Sequence, residues 1–95
     1  MSMDEPYGTL KRFKINPADD DRVFSAYVVG HTEDGFDEPN WFEVKFYYPD
    51  GIPLLSWPLN RTVSKRHDGY PTIGRAERAL VEFSRWLLGA EPVAA

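Results

Sequence analysis

The segment from Trp41 to Tyr48 alternates between two sets of side chains and predicts a β-strand with two different faces. The side chains of one face are all apolar or aromatic: Phe42, Val44, Phe46 and Tyr48. The other face carries two charges and two aromatic rings: Trp41, Glu43, Lys45 and Tyr47. A half-buried strand normally shows a polar second face to water. The two rings are therefore surplus aromatic surface, and they are the strongest functional signal in the chain.

Two segments that precede this strand also predict β-structure. Residues 8–15 alternate imperfectly and predict a weak strand. Residues 22–30 are apolar on both faces, which predicts a strand at the centre of the sheet. One face of that central strand carries Phe24, Ala26 and Val28, and the other carries Val23, Ser25, Tyr27 and Val29.

A hairpin follows, because Pro49, Asp50 and Gly51 form a tight turn and residues 52–59 return as a strand. Pro53 and Pro58 lie within that return strand, and neither has an N–H to donate to a neighbouring strand. We therefore expect this strand to be short or to lie at an edge of the sheet.

Residues 73–88 predict an amphipathic helix, with Thr72 as its N-cap and Gly89 just after its end. On a helical wheel the residues divide into an apolar stripe and a narrow polar face. The stripe is centred on Ile73, Ala76, Leu80, Phe83 and Leu87, and Trp86 lies at its border.

The order of elements predicts a small α+β fold: a four-stranded antiparallel β-meander (ββββα) with one C-terminal amphipathic helix packed on one face. The 95 residues are enough for a single domain, 1–95. Residues 1–7 and 90–95 are expected to be flexible tails. The alternative is a sheet that curls into a partly closed barrel, with the helix plugging one end.

The composition narrows the classes of protein. The chain has no cysteine, which excludes disulfides and thiolate metal sites. Its start lacks the basic and apolar regions of a signal peptide. No apolar run approaches the roughly 20 residues of a membrane span. We therefore expect a cytoplasmic protein without a membrane association.

The net charge of −4 is unevenly distributed along the chain. Residues 1–40 hold nine acids and four bases, whereas residues 60–88 hold six bases and three acids. A solvated surface explains this pattern most simply. The alternative is an acidic loop surface that is offered to a basic partner.

The acidic loop at residues 31–39 contains a set of oxygen and nitrogen donors: His31, Glu33, Asp34, Asp37 and Glu38. Their spacing does not match a calcium-binding loop, so an ordinary solvated loop is favoured over a cation site. The three consecutive carboxylates at residues 19–21 diverge and predict a turn. We expect neither a metal nor a cofactor.

The later half of the chain contains the residues of a candidate nucleic-acid contact: Arg61, Lys65, Arg66, Arg75, Arg78 and Arg85. The overall acidity of the chain argues against this partner. Glu82 also lies four residues after Arg78, a spacing that predicts a local ion pair. His67, near Ser64 and Asp68, is more simply an exposed loop residue than a catalytic base, and we expect no enzyme.

The leading hypothesis is a non-enzymatic protein-binding module that uses an aromatic sheet face. Its anchors would be Tyr27, Trp41 and Tyr47, while Glu43 and Lys45 would set the register of the partner, which is another protein or a second copy. Equally open is a second small core beneath the N-terminal segment that hides these rings. Small acidic proteins of this architecture occur among phage and mobile-element accessory proteins, so an inhibitor or accessory role belongs to the hypothesis. No motif of a known family is present.

Overall fold

The chain forms one antiparallel sheet with a helix packed across one face, the predicted α+β architecture. The computed structural model describes residues 5–57 and 69–95, with the backbone alone for residues 55–57. In chain order the elements are β1 (Thr9–Ile15), β2 (Phe24–His31), β3 (Trp41–Tyr47), β4 (Pro53–Trp57), α1 (Ile73–Leu88) and β5 (Val93–Ala94).

The strands lie in the order β4-β3-β2-β1-β5, and every neighbouring pair is antiparallel. The central position predicted for β2 is confirmed, since β1 pairs with one of its edges and β3 with the other. The edge position predicted for β4 is also confirmed, as expected for a segment interrupted by prolines. The described strands form an open sheet rather than a closed barrel, because β4 and β5 lie at opposite edges.

The helix α1 has the predicted ends. The Thr72 side chain accepts a hydrogen bond from the Arg75 backbone N–H at 3.1 Å. Gly89 adopts φ 65°, a left-handed conformation that costs glycine little, and its N–H donates to the carbonyl of Arg85. These two caps satisfy backbone groups that a helix leaves unpaired at its ends.

The core lies between α1 and the face of the sheet that we call the inner face. Ala76 and Leu80 of α1 are fully buried against it. The apolar residues predicted for this face of the strands all belong to the core: Phe24, Ala26, Val28, Phe42, Val44 and Phe46, joined by Phe13 and Ile15 of β1. The alternation of β2 and β3 thus predicted correctly which side of the sheet packs against α1.

A fifth strand, which the predicted four-stranded sheet lacks, lies at the edge of β1. Residues 93 and 94 pair with Lys14 and Phe13 at the outer edge of β1. Two contacts hold the preceding segment against α1: the Ser84 hydroxyl donates to the carbonyl of Ala90, and Arg85 pairs with Glu91. A two-residue strand has too little sequence to show a period, so its pairing with β1 is visible only in three dimensions.

At the other end of the chain, the Thr9 N–H donates to the carbonyl of Pro6, and Arg12 pairs with Glu5. This ion pair lowers the pKa of the exposed Glu5 carboxyl through the hydrogen bond from the guanidinium. Among the described residues, no helix has the length and apolar character needed to cross a membrane.

Candidate functional site

The five residues predicted as a protein interface lie together on the face of the sheet opposite the helix, which we call the outer face. The β2–β3 register pairs Tyr27 with Lys45 and Val29 with Glu43. It also pairs His31 with Trp41 at the loop end of the hairpin, where the acidic loop leaves and rejoins the sheet. Because side chains alternate along each strand, Trp41, Glu43, Lys45 and Tyr47 follow one another along this face.

Trp41 is largely covered by its own chain, with only 4% of its surface exposed. The imidazole of His31 stacks on the Trp41 ring at a centroid distance of 4.0 Å and an interplanar angle of 11°. Gly69 covers it from a distant part of the chain. A Cβ atom at Gly69 would lie 2.6 Å from Trp41 Cε3, so only glycine permits this approach. Trp41 therefore contributes little surface that a partner can reach.

Tyr27 is similarly buried, and Tyr47 is half-buried beside it. Their rings meet edge to face at a centroid distance of 5.6 Å and an angle of 71°. Burial raises the pKa of the Tyr47 phenol, and the nearby carboxylate of Glu43 and the Tyr27 phenol raise it further. Tyr47 is thus the more accessible ring of the pair and is held as a neutral phenol.

Glu43 carries a carboxylate that is buried on the outer face, with 5% of its side chain exposed. A buried carboxylate needs a hydrogen-bond partner. His31 supplies it, since Nε2 lies 2.6 Å from Glu43 Oε1 and the carboxylate oxygen accepts. The His31 side chain therefore makes two contacts: its Nε2 atom bonds with the Glu43 carboxylate, and the face of its ring stacks on Trp41.

His31 is a residue of this site that the sequence analysis considered only as a cation ligand. Within the described residues, no group of three or more histidine, aspartate or glutamate side chains is arranged to hold a metal ion. The signal for its real position was the β2–β3 register, which places His31 opposite Trp41. That register depends on how the loop closes, and residue types do not reveal it.

A groove of about 600 Å³ runs along the outer face beside this cluster. The N-terminal segment forms one wall through Pro6 and Tyr7, and Tyr7 is fully exposed. The opposite side is formed by strand residues of β2 and β3: Val29, His31, Glu43, Lys45 and Tyr47. Lys45 makes no ion pair with any described residue, and its side chain is partly exposed. Among the described residues that line the groove, Lys45 is thus the one cation, and it lies between aromatic walls.

The candidate nucleic-acid residues are only partly described. Arg61, Lys65 and Arg66 lie outside the described residues, as does His67 with Ser64 and Asp68. Arg85 is occupied by Glu91. The ion pair predicted between Arg78 and Glu82 does not form; both residues are exposed and border a cavity along α1. Arg75 lies on the same side of α1 and is exposed.

The three aspartates at residues 19–21 form part of a turn, as predicted. Asp20 accepts from the backbone N–H of Arg22 at 2.9 Å and forms an ion pair with the same guanidinium at 2.6 Å. The hydrogen bonds from the Arg22 guanidinium, and after them the one from its backbone N–H, lower the pKa of the Asp20 carboxyl. The turn therefore explains Asp20 without a ligand.

No family model, curated protein or solved structure matches this chain. The assignment of a function therefore rests on the geometry of the surfaces described above.

Proposed function

We propose that this chain is a cytoplasmic, non-enzymatic protein-binding module whose outer-face groove binds an extended, acidic segment of a partner protein. The observation that carries the proposal is the Lys45 ammonium, which forms an ion pair with no described acid and lies in a groove with aromatic walls. A carboxylate of the partner would pair with it, and apolar groups on either side would pack on tyrosine rings.

The two tyrosines that border Lys45 differ in how far their rings are packed against the rest of the chain, and this difference suits a recognition surface. Tyr47 is fixed by its contact with Tyr27 across the sheet. Tyr7 is fully exposed on the N-terminal wall, so its whole ring is available to contact a bound chain. Tyrosine combines a large contact area with few rotatable bonds, which keeps the entropic cost of binding low.

The buried part of the outer face supports this groove as a rigid floor. Trp41, His31 and Glu43 are joined by a ring stack and a short hydrogen bond, so the strand that carries Lys45 is held in one position. A preorganised surface loses less conformational freedom when a partner binds. In this proposal Trp41 and Tyr27 support the interface from beneath, whereas Lys45 and Tyr47 contact the partner.

The module would act by occupying a surface of its partner, as an inhibitor or accessory subunit does. Self-association through the same face is the other form of this hypothesis. It predicts a dimer that Lys45→Glu disrupts.

Selection from a library of random peptides tests the proposal without knowledge of the partner. The wild-type protein should enrich peptides with an acidic residue next to an aromatic or aliphatic one. Lys45→Glu should lose that enrichment and favour basic peptides, because the sign of the charge is reversed. Lys14→Glu is the matched control, since Lys14 lies on the same face of the sheet but does not line the groove. Equal acidic enrichment by wild type and Lys45→Glu would exclude the groove as the binding site.

A further inference from the structure

The acidic loop carries an exposed aromatic ring at its tip. Phe36 is 48% exposed and is surrounded in sequence by Asp34, Asp37 and Glu38, all of which are exposed. No described residue forms an ion pair with Asp37 or Glu38. We define the loop tip as residues 34–38. An exposed phenylalanine amid unpaired carboxylates has no evident role in the stability of the monomer.

The loop that carries this ring is closed by specific hydrogen bonds. The Asn40 N–H donates to the carbonyl of His31 at 2.9 Å, and the Asn40 side-chain oxygen accepts from the Glu33 N–H at 2.8 Å. The Phe36 N–H donates to the carbonyl of Glu33 and forms a turn at 3.1 Å. The loop tip is therefore held in shape before any contact is made, which reduces the entropic cost of association.

A surface of opposite charge lies along α1. A cavity of about 440 Å³, which we call the helix groove, is bordered by Tyr70, Ala79 and Phe83 and by the exposed arginines Arg75 and Arg78. Glu82 also borders it, so the two arginines exceed the acids by one. Neither arginine forms an ion pair with a described residue. A cavity of about 150 Å³ accommodates a benzene ring, so the helix groove has room for a phenylalanine side chain.

The loop tip and the helix groove lie at the same end of the sheet. The loop returns to the sheet at Trp41, and the next residue, Phe42, exchanges two backbone hydrogen bonds with Tyr70 of the groove. Within one chain the two features do not meet, since Phe36 is half exposed and does not border the helix groove. A two-fold axis at this end of the molecule would place each loop tip against the helix groove of the other copy.

We propose that two copies of this chain associate around such an axis, with Phe36 of each copy inserted into the helix groove of the other. Asp37 and Glu38 then face Arg75 and Arg78 across the interface. The contact is reciprocal and closed, so it forms a dimer rather than a filament. It uses surfaces other than the outer-face groove and leaves Lys45 accessible.

Sedimentation equilibrium of the full chain tests this dimer through charge reversal. Asp37→Arg with Glu38→Arg, and separately Arg75→Glu with Arg78→Glu, should each weaken self-association by at least about a hundredfold, because like charges then face each other. An equimolar mixture of the two variants should form a heterodimer, since both of its contacts again join opposite charges. Phe36→Ser should weaken the dimer without any change of charge.

Two controls identify the interface. Asp19→Arg with Asp21→Arg makes the same change in net charge at exposed residues far from the loop tip in sequence, and it should leave the dimer intact. Lys45→Glu should also leave it intact, which separates this dimer from the proposed function. A wild-type chain that is monomeric at about 1 mM, where association weaker than roughly 4 kcal/mol escapes detection, overturns the inference. So does a mixture of the reversed variants that stays monomeric, or a dimer that Lys45→Glu abolishes.

Discussion

Replacement of Trp41 by alanine should destabilise the fold itself, although Trp41 lies on the face of the sheet that the helix does not cover. The side chain is 4% exposed, stacked on His31 and in contact with Gly69. Truncation of a buried tryptophan to alanine costs about 3–5 kcal/mol, because contacts are lost and a cavity remains. A domain has a total stability of about 5–15 kcal/mol, so the loss is a large fraction of it.

The assay is thermal unfolding followed by far-UV circular dichroism. For a domain of this size, 1 kcal/mol corresponds to a shift of about 4–8 °C in Tm, so Trp41→Ala should lower Tm by at least about 12 °C. Trp86 provides a matched control because it is the same residue type with 76% exposure. Trp86→Ala should change the free energy of unfolding by no more than about 0.5 kcal/mol. Equal shifts in the two variants would refute the conclusion that the chain itself covers Trp41.

Three further predictions concern single groups. Thr72→Ala removes the acceptor of the Arg75 N–H and should lower the unfolding free energy by about 1 kcal/mol in urea denaturation, whereas Thr72→Ser should retain most of it. The phenol of Tyr47 should ionise above the ordinary pKa of about 10, visible as the component of the phenolate absorbance that Tyr47→Phe removes. Because the pKa of Tyr47 is raised in the fold, the protonated phenol contributes stability that is complete below about pH 10 and is lost as the pH rises through the raised pKa. Glu43→Gln should lower the pKa of Tyr47, but the larger effect of burial should remain. His31→Ala leaves the buried Glu43 carboxylate without its hydrogen-bond partner and should cost about 1–3 kcal/mol in urea denaturation. Glu43→Gln should cost less because it removes the buried charge, and equal losses would contradict the assignment of that hydrogen bond.

The parts of the fold that could be predicted depend on local pattern. The alternation in residues 41–48 identified which side of β3 packs against α1, because successive side chains of a strand point to opposite faces. Thr72 and Gly89 marked the ends of α1, because each cap requires a particular residue type within one turn of the helix. Residues 93–94 carry no such pattern, and their pairing depends on the free edge of β1.

The candidate site could be predicted only as a set of residues on one face. The alternation showed that Trp41 and Lys45 share that face, but exposure depends on contacts between distant segments. Gly69 contacts Trp41 although it lies 28 residues later in the chain. The groove also depends on contacts between distant segments, since Tyr7 and Lys45 line it from separate parts of the chain. Such contacts leave no periodic signal in the sequence.

The central claim is that the outer-face groove, with Lys45 at its middle, is the surface that binds a partner. Amide chemical-shift mapping by NMR, with a selected acidic peptide titrated into the wild-type protein, tests this claim most directly. We predict that the largest shifts occur at Val29, Lys45 and Tyr47, and that Lys45→Glu abolishes them. Shifts confined to α1 around Arg75 and Arg78 would contradict the claim and would assign binding to the helix.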